Sequence, residues 1–95
     1  MNYHSTRSSR EKISAAAAVL RGIAPDGGLY MPERLDLGFD WRGLMGIPAQ
    51  EMAARILGAL LPDFENMKDL VDKAYRGKFE TEELTPLVPV GDRYV

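Results

Sequence analysis

The segment 22–32 contains two prolines and three glycines, and this density of residues that interrupt helices and strands restricts the fold more than any other feature. Gly22 is a natural residue for a helix to end on, since glycine adopts a positive φ without steric cost. Pro25, with its fixed φ, and the pair Gly27-Gly28 predict a tight turn. The short apolar run after this turn, Leu29–Met31, predicts a strand that the following proline ends.

A helix and a second strand are predicted before the turn. The four alanines Ala15–Ala18 favour a helix as far as Arg21, because alanine has the highest helix propensity, and Ser14 suits its N-cap. Tyr and Thr content predicts a short strand at Asn2–Thr6, which we expect to pair with Leu29–Met31. The intervening polar residues 7–12 are expected to form a solvated loop.

The second half of the chain contains two amphipathic helical patterns. Apolar residues recur at helical spacing within Met52–Leu61 and again within Met67–Tyr75. Pro48 suits the first position of the first helix, and Asp63 or Asn66 is expected to cap the second. We expect the two apolar stripes to face each other as an antiparallel pair.

Two segments lack a helical pattern. In residues 33–47, every second residue from Leu35 to Trp41 is apolar, which is compatible with a strand, but we favour a loop with its apolar side chains turned inward. The apolar residues Leu87–Val90 and Tyr94-Val95 predict extended structure. Because domains commonly end in a few polar residues, we expect this chain to be part of a longer one.

Together these elements predict one small α/β (α+β) domain over residues 1–95, with a short β-sheet of two or three strands packed on three to four helices. The chain has no Cys and one His, which excludes disulfides, thiolate metal sites, a cysteine nucleophile and multi-histidine metal sites. Its net charge of −2 argues against a nucleic-acid binder. No apolar run reaches the roughly 20 residues of a membrane span.

The N-terminus lacks the apolar core of a signal peptide, so a cytoplasmic location is expected. Because residues 1–10 contain arginines and serines but no acid, organellar targeting stays open as a weaker alternative.

Three groups of residues suggest chemistry, but each has a plainer interpretation. Gly27-Gly28 lacks the spacing of phosphate-binding loops and is better explained as a turn. The basic patch Arg7, Arg10 and Lys12 is either a solvated loop or an anion contact. Asp69 and Asp72 lie on the polar side of a helix pattern, where solvated charge explains them better than acid–base catalysis. The residues alone therefore indicate an accessory or interaction domain, without a catalytic set or a metal site.

The longest distinctive motif extends from Val19 to Glu33 and contains Ala-Pro-Asp-Gly-Gly-Leu-Tyr-Met-Pro. Together with Tyr3 and the tripeptide Ser5-Thr6-Arg7, it resembles the N-terminal region of the threonine synthase family, with Ile23 in place of the usual Leu. The later helix patterns and the segment Thr85-Pro86-Leu87 also fit, so the resemblance covers essentially the whole chain.

This resemblance implies a pyridoxal-phosphate-dependent lyase of fold type II that converts O-phospho-L-homoserine and water to L-threonine and phosphate. The cofactor-bearing lysine and the phosphate-binding loop of the family lie beyond this segment. No cofactor-binding or catalytic residue is therefore expected here, the segment alone is expected to be inactive, and its partners are the catalytic domains of the same chain. A stand-alone, non-catalytic binding or regulatory module remains the alternative.

The family-like polar residues are the substrate-proximal candidates: Ser5, Thr6, Arg7, Asp26, Gly27 and Gly28. Arg7 would hold the substrate phosphate through charge-assisted hydrogen bonds, whereas a purely architectural role for all six is the competing interpretation. Self-association of the isolated domain is expected if the loop Leu35–Ile47, with Phe39 and Trp41, is left partly uncovered.

Overall fold

The computed structural model describes all 95 residues and confirms a mixed α/β domain with a small antiparallel sheet. Its elements are, in chain order, β1 (Asn2–Ser5), β2 (Ser8–Ser14), α1 (Ala15–Arg21), β3 (Tyr30–Pro32), a 3-10 helix (Trp41–Leu44), α2 (Ala49–Leu60), α3 (Met67–Tyr75), β4 (Pro89–Val90) and β5 (Arg93–Tyr94).

The three-stranded sheet has the order β2-β1-β3, with β1 in the centre and both neighbours antiparallel to it. His4 of β1 lies opposite Met31 of β3, which confirms the predicted pairing of the first strand with the segment after the turn. The interval between the two strands contains β2, α1 and the turn, so the sheet brings residues far apart in sequence into contact.

The predicted solvated loop at residues 7–12 is wrong, because most of it belongs to β2. This strand pairs with β1, with Tyr3 opposite Ile13, and only Ile13 within it is buried. An edge strand is held by backbone hydrogen bonds on one side and keeps its charged side chains in water, a common protection against edge-to-edge association. Its composition therefore resembles that of a loop.

The core of the sheet consists of Tyr3, Ile13, Ala15 and Ala18, with Leu61 packed against it. The two small alanines let α1 lie close to the strands. The Tyr3 hydroxyl donates a hydrogen bond to the Leu60 carbonyl at 2.6 Å, which ties the sheet to the end of α2. Burial raises the pKa of the Tyr3 hydroxyl, with a smaller contribution from Asp63.

Helix α1 has the predicted caps and one unexpected partner. The Ser14 Oγ accepts a hydrogen bond from the Ala17 amide at 3.2 Å, and Gly22 ends the helix with φ of 72°. The Asp63 carboxylate accepts from the Ala16 amide at 2.9 Å. Asp63 thus satisfies a free amide of α1, not of α3, whose N-cap Asn66 makes no side-chain capping bond.

Helices α2 and α3 form where the two apolar stripes predict them and pack against each other. Met67 and Val71 are the buried residues of α3. None of the three α-helices combines the length and the hydropathy that crossing a bilayer requires.

The residues between β3 and α2 form no strand, as expected, and the predicted inward packing of their apolar side chains holds for part of them. Leu37, Phe39, Leu44 and Ile47 are half-buried. Leu35, Trp41 and Met45 are exposed, which corrects the prediction for these three, and the Arg42 guanidinium stacks 4.5 Å from the centre of the Trp41 ring.

The C-terminal residues are extended, as predicted, and form their own hairpin. Val88 and Val95 exchange two backbone hydrogen bonds of 2.9 Å around β4 and β5. Both strands are fully exposed, so this hairpin adds no core.

Candidate functional site

The predicted turn is closed by its own backbone. The Gly27 amide donates to the Ala24 carbonyl at 2.8 Å, and the Ala24 amide donates to the Gly28 carbonyl at 2.9 Å. Gly27 adopts φ of 78°, a conformation that residues with a Cβ rarely tolerate. Pro25 and Asp26 therefore occupy the centre of a rigid turn.

The residue after β1 holds the end of this turn. The Thr6 amide donates to the Leu29 carbonyl at 2.8 Å, and the Leu29 amide donates to the Thr6 Oγ1 at 3.0 Å. Both polar backbone atoms of Leu29 are thus satisfied by one residue, which fixes the start of β3 against β1.

Ser5 connects the central strand to the centre of the turn. Its buried hydroxyl donates to the Asp26 Oδ1 at 2.7 Å and accepts from the Arg7 amide at 3.1 Å. The same Asp26 oxygen accepts from the Gly28 amide at 2.9 Å. These two donors, the Ser5 hydroxyl first, lower the pKa of the Asp26 carboxyl below its ordinary value.

The backbone at Gly28 passes too close to Ser5 for any side chain. A Cβ at Gly28 would lie 2.1 Å from the Ser5 Oγ and 3.0 Å from both the Asp26 Oδ1 and the Thr6 Oγ1. Since the Ser5 hydroxyl is already held by two partners, it cannot move aside without breaking them. The second glycine of the motif is therefore required by packing, and the first by its backbone conformation.

Arg7 lies across the outer side of the turn. One guanidinium nitrogen donates to the Asp26 carbonyl at 2.8 Å, and the same nitrogen would be 3.0 Å from a Cβ at Gly27. The side chain is exposed, and the other guanidinium nitrogens make no hydrogen bond within the chain. We call six residues the turn cluster: Ser5, Thr6, Arg7, Asp26, Gly27 and Gly28. Within this cluster, Arg7 is the residue whose side chain presents free hydrogen-bond donors to solvent.

Among the other charged sequence candidates, Arg10 lies beside the turn cluster, whereas Lys12, Asp69 and Asp72 do not. Lys12 forms an ion pair with Glu33 at 3.2 Å, whereas Arg7 binds the Asp26 carbonyl. The basic side chains of the predicted patch therefore have different partners. Arg10 lines a cavity of about 250 Å³ together with Asp26. Asp69 and Asp72 lie on α3, where the Asp72 carboxylate pairs with Arg76 at 3.5 Å. No group of three or more His, Asp or Glu side chains gathers as a metal site.

Two contacts that hold the site in place were missed from the sequence. The hydrogen bond from Tyr3 to Leu60 and the Asp63 cap of α1 join residues more than 45 positions apart. No local sequence pattern predicts such a pair. The positions of a carboxylate or a hydroxyl along the chain do not specify which distant element it will contact.

Comparison with known proteins now identifies the family. The family model described as "Threonine synthase N terminus" matches residues 2–75, which include the turn cluster and α1 to α3. The chain is a member of the threonine synthase N-terminal family.

The threonine synthase of Methylobacillus glycogenes is 33% identical over 97% of this chain, and that of Saccharomyces cerevisiae is 36% identical over 90%. The crystal structure of threonine synthase from yeast superposes with a TM-score of 0.68 at 34% identity and covers 92% of this chain. The chain spans about a fifth of the length of these relatives, between 18% and 22%.

Replacing Gly28 by Ala tests whether close packing explains the second glycine of the threonine synthase motif. We expect Gly28→Ala to lower the free energy of unfolding by about 1–3 kcal/mol, as overpacking does. Ser5→Ala removes the oxygen that the new Cβ meets, so the double variant should lose less than the two single losses added together. Urea unfolding measures all three.

Gly43→Ala is the matched control, because Gly43 has no positive φ and an added Cβ there meets only Asp40, 3.8 Å away. A Gly28→Ala variant as stable as Gly43→Ala would contradict the packing argument.

The pKa of Asp26 predicts a pH dependence of stability. A carboxyl with a lower pKa in the folded than in the unfolded protein stabilises the fold when ionised. That stabilisation is complete above the ordinary Asp pKa and disappears as pH falls through the lowered, folded value. We expect Asp26→Asn, which keeps an acceptor oxygen without the charge, to lose less stability than the wild type between pH 7 and pH 3.

Unfolding free energies at the two pH values measure this difference. Asp92→Asn is the control, since the Asp92 side chain is 96% exposed and its 4.0 Å contact with Arg93 is the longest ion pair of the chain. Parallel losses in the wild type and Asp26→Asn would show that the Asp26 charge does not support the turn.

Proposed function

We propose that this chain is the N-terminal accessory domain of a threonine synthase that converts O-phospho-L-homoserine and water to L-threonine and phosphate. The observation that carries the proposal is the match of 90–97% of the chain to about a fifth of each related threonine synthase. An accessory domain explains why the described residues contain a structured turn but no cluster suited to metal or acid–base chemistry.

Pyridoxal phosphate, the cofactor implied by the family, supplies an electron sink when it is bound to a lysine. The four lysines of this chain do not fit that task. Lys12 is paired with Glu33, and Lys68, Lys73 and Lys78 lie exposed on or after α3. A cofactor lysine must be preorganised in a pocket, so we assign it to the catalytic domains and expect this segment alone to be inactive.

The domain's part in the reaction is to pack on the catalytic domains and help exclude water from their active site. Within the turn cluster, Ser5, Thr6 and Asp26 have their side-chain oxygens engaged with each other or with the turn backbone. This arrangement supports a positioning role for them. Arg7, with free guanidinium donors, is the residue that we propose to face the substrate phosphate.

The expected location of the enzyme is the cytoplasm. We propose this location from the match of residues 2–75 to the threonine synthase N-terminal family.

The full-length enzyme tests the role of Arg7. If Arg7 contacts the phosphate, Arg7→Ala should lower kcat/KM for O-phospho-L-homoserine roughly 10- to 100-fold, the effect of losing a hydrogen bond to a charged group. Phosphate release measures the rate. Arg34→Ala, at an exposed arginine without an ion pair, is the control.

Equal kcat/KM values for Arg7→Ala and Arg34→Ala would remove Arg7 from the substrate site. Thermal unfolding of each variant separates this result from a loss of the bond between Arg7 and the turn. A full-length protein that releases no phosphate from O-phospho-L-homoserine would reject the proposed activity and favour a binding or regulatory module.

A further inference from the structure

The domain exposes far more surface than a self-contained protein of its size. Its accessible surface is 7504 Å², whereas a compact chain of 10.6 kDa exposes about 5,500 Å². Its radius of gyration is 16.5 Å, against about 12 Å for a compact domain of this length. Nine of the 95 residues are buried. A surplus of about 2,000 Å² is enough for one or more interfaces with other protein surfaces.

Part of this surplus is an apolar groove beside α1. The groove has a volume of about 380 Å³, and seven of its eight lining residues are hydrophobic. Tyr3, Ala15 and Ala18 form its floor together with Leu61, and these residues belong to or pack on the core cluster. The groove is therefore a direct extension of the hydrophobic core to the surface.

Aliphatic side chains at the edge of the groove are uncovered. Val19 is 56% exposed, Ile23 66% and Leu29 62%. Ile23 and Leu29 are directly opposite each other across an isolated antiparallel bridge, and Val19 and Leu29 both line the groove. Contiguous apolar surface of this kind marks interaction sites in soluble proteins, whereas single exposed apolar residues do not.

The turn cluster fixes the rim of this groove. Leu29 directly follows Gly28, and both of its polar backbone atoms are bonded to Thr6. The Ser5–Asp26 hydrogen bond holds the same turn against the central strand. The apolar rim is thus presented on a rigid support. A rigid surface loses little conformational entropy when it binds another protein surface.

We infer that this α1 groove, with Val19, Ile23 and Leu29 at its rim, is the docking face for the catalytic part of the same polypeptide, which contributes apolar side chains to it. This inference rests on the proposed function, because the relatives are about five times as long as this chain.

A tethered domain has an effective concentration of about millimolar, so it occupies the groove in preference to a second copy of the chain. The docking face is on α1 and the turn, not on the loop Leu35–Ile47.

Thiol labelling of the full-length protein tests the docking face, since this segment contains no cysteine. Val19→Cys and Leu29→Cys place a small apolar thiol at the rim, and Leu35→Cys places one at a control leucine that is 70% exposed. A maleimide reacts with each variant in buffer and in denaturing urea, and mass spectrometry follows the peptide that carries the new thiol. We expect labelling at positions 19 and 29 to be at least tenfold slower, relative to urea, than at position 35.

Three results would overturn the inference. Rim thiols that react as fast as the control thiol would show an open groove. Rim thiols that react quickly while the control is protected would move the interface to the loop. Protection that disappears on dilution of the full-length protein would identify a second copy as the occupant.

The labelling outcome is separate from the outcome for activity. Protection of the rim without turnover of O-phospho-L-homoserine would retain the docking face and reject the proposed reaction. Turnover without protection would do the reverse. If Leu29→Cys lowers the melting temperature of the full-length protein, the comparison of Val19→Cys with Leu35→Cys decides the question alone.

Discussion

The hydrogen bond from the Ser5 hydroxyl to the Asp26 carboxylate is the contact on which the arrangement of the N-terminal half depends. It joins the central strand of the sheet to the middle of the turn, 21 residues away, at 2.7 Å. The hydroxyl is buried, and the same Asp26 oxygen also accepts the Gly28 amide, so this bond fixes both the strand and the turn backbone at one place. The rim residue Leu29 and the strand β3 follow shortly after Asp26 in the chain.

This polar connection matters because the hydrophobic core is small. Four buried residues form the core cluster, and none of the large side chains in the domain is completely buried. Specific hydrogen bonds between distant elements supplement it: Tyr3 binds the end of α2, and Asp63 caps α1. A domain of this size buries a limited fraction of its surface, and this one depends on such contacts between its own elements.

Local signals predicted much of the fold. Alanine propensity, Ser14 and Gly22 determine α1 and its ends, and apolar periodicity locates α2 and α3, because these effects act within a few residues.

β2 was mistaken for a loop because an edge strand depends on its partner's backbone. The partner of Asp63 was missed for the same reason: it lies 47 residues away and is fixed only by packing. The six residues of the turn cluster were identified together from a motif, whereas the sequence does not indicate that Gly28 is constrained by the Ser5 oxygen.

A double-mutant cycle on Ser5→Ala and Asp26→Ala tests most directly whether this bond organises the turn. If it does, the free energy of unfolding lost in the double variant will be clearly smaller than the sum of the two single losses, because either change alone already breaks the bond. Losses that add would contradict the account, since they would show that the two residues stabilise the domain independently.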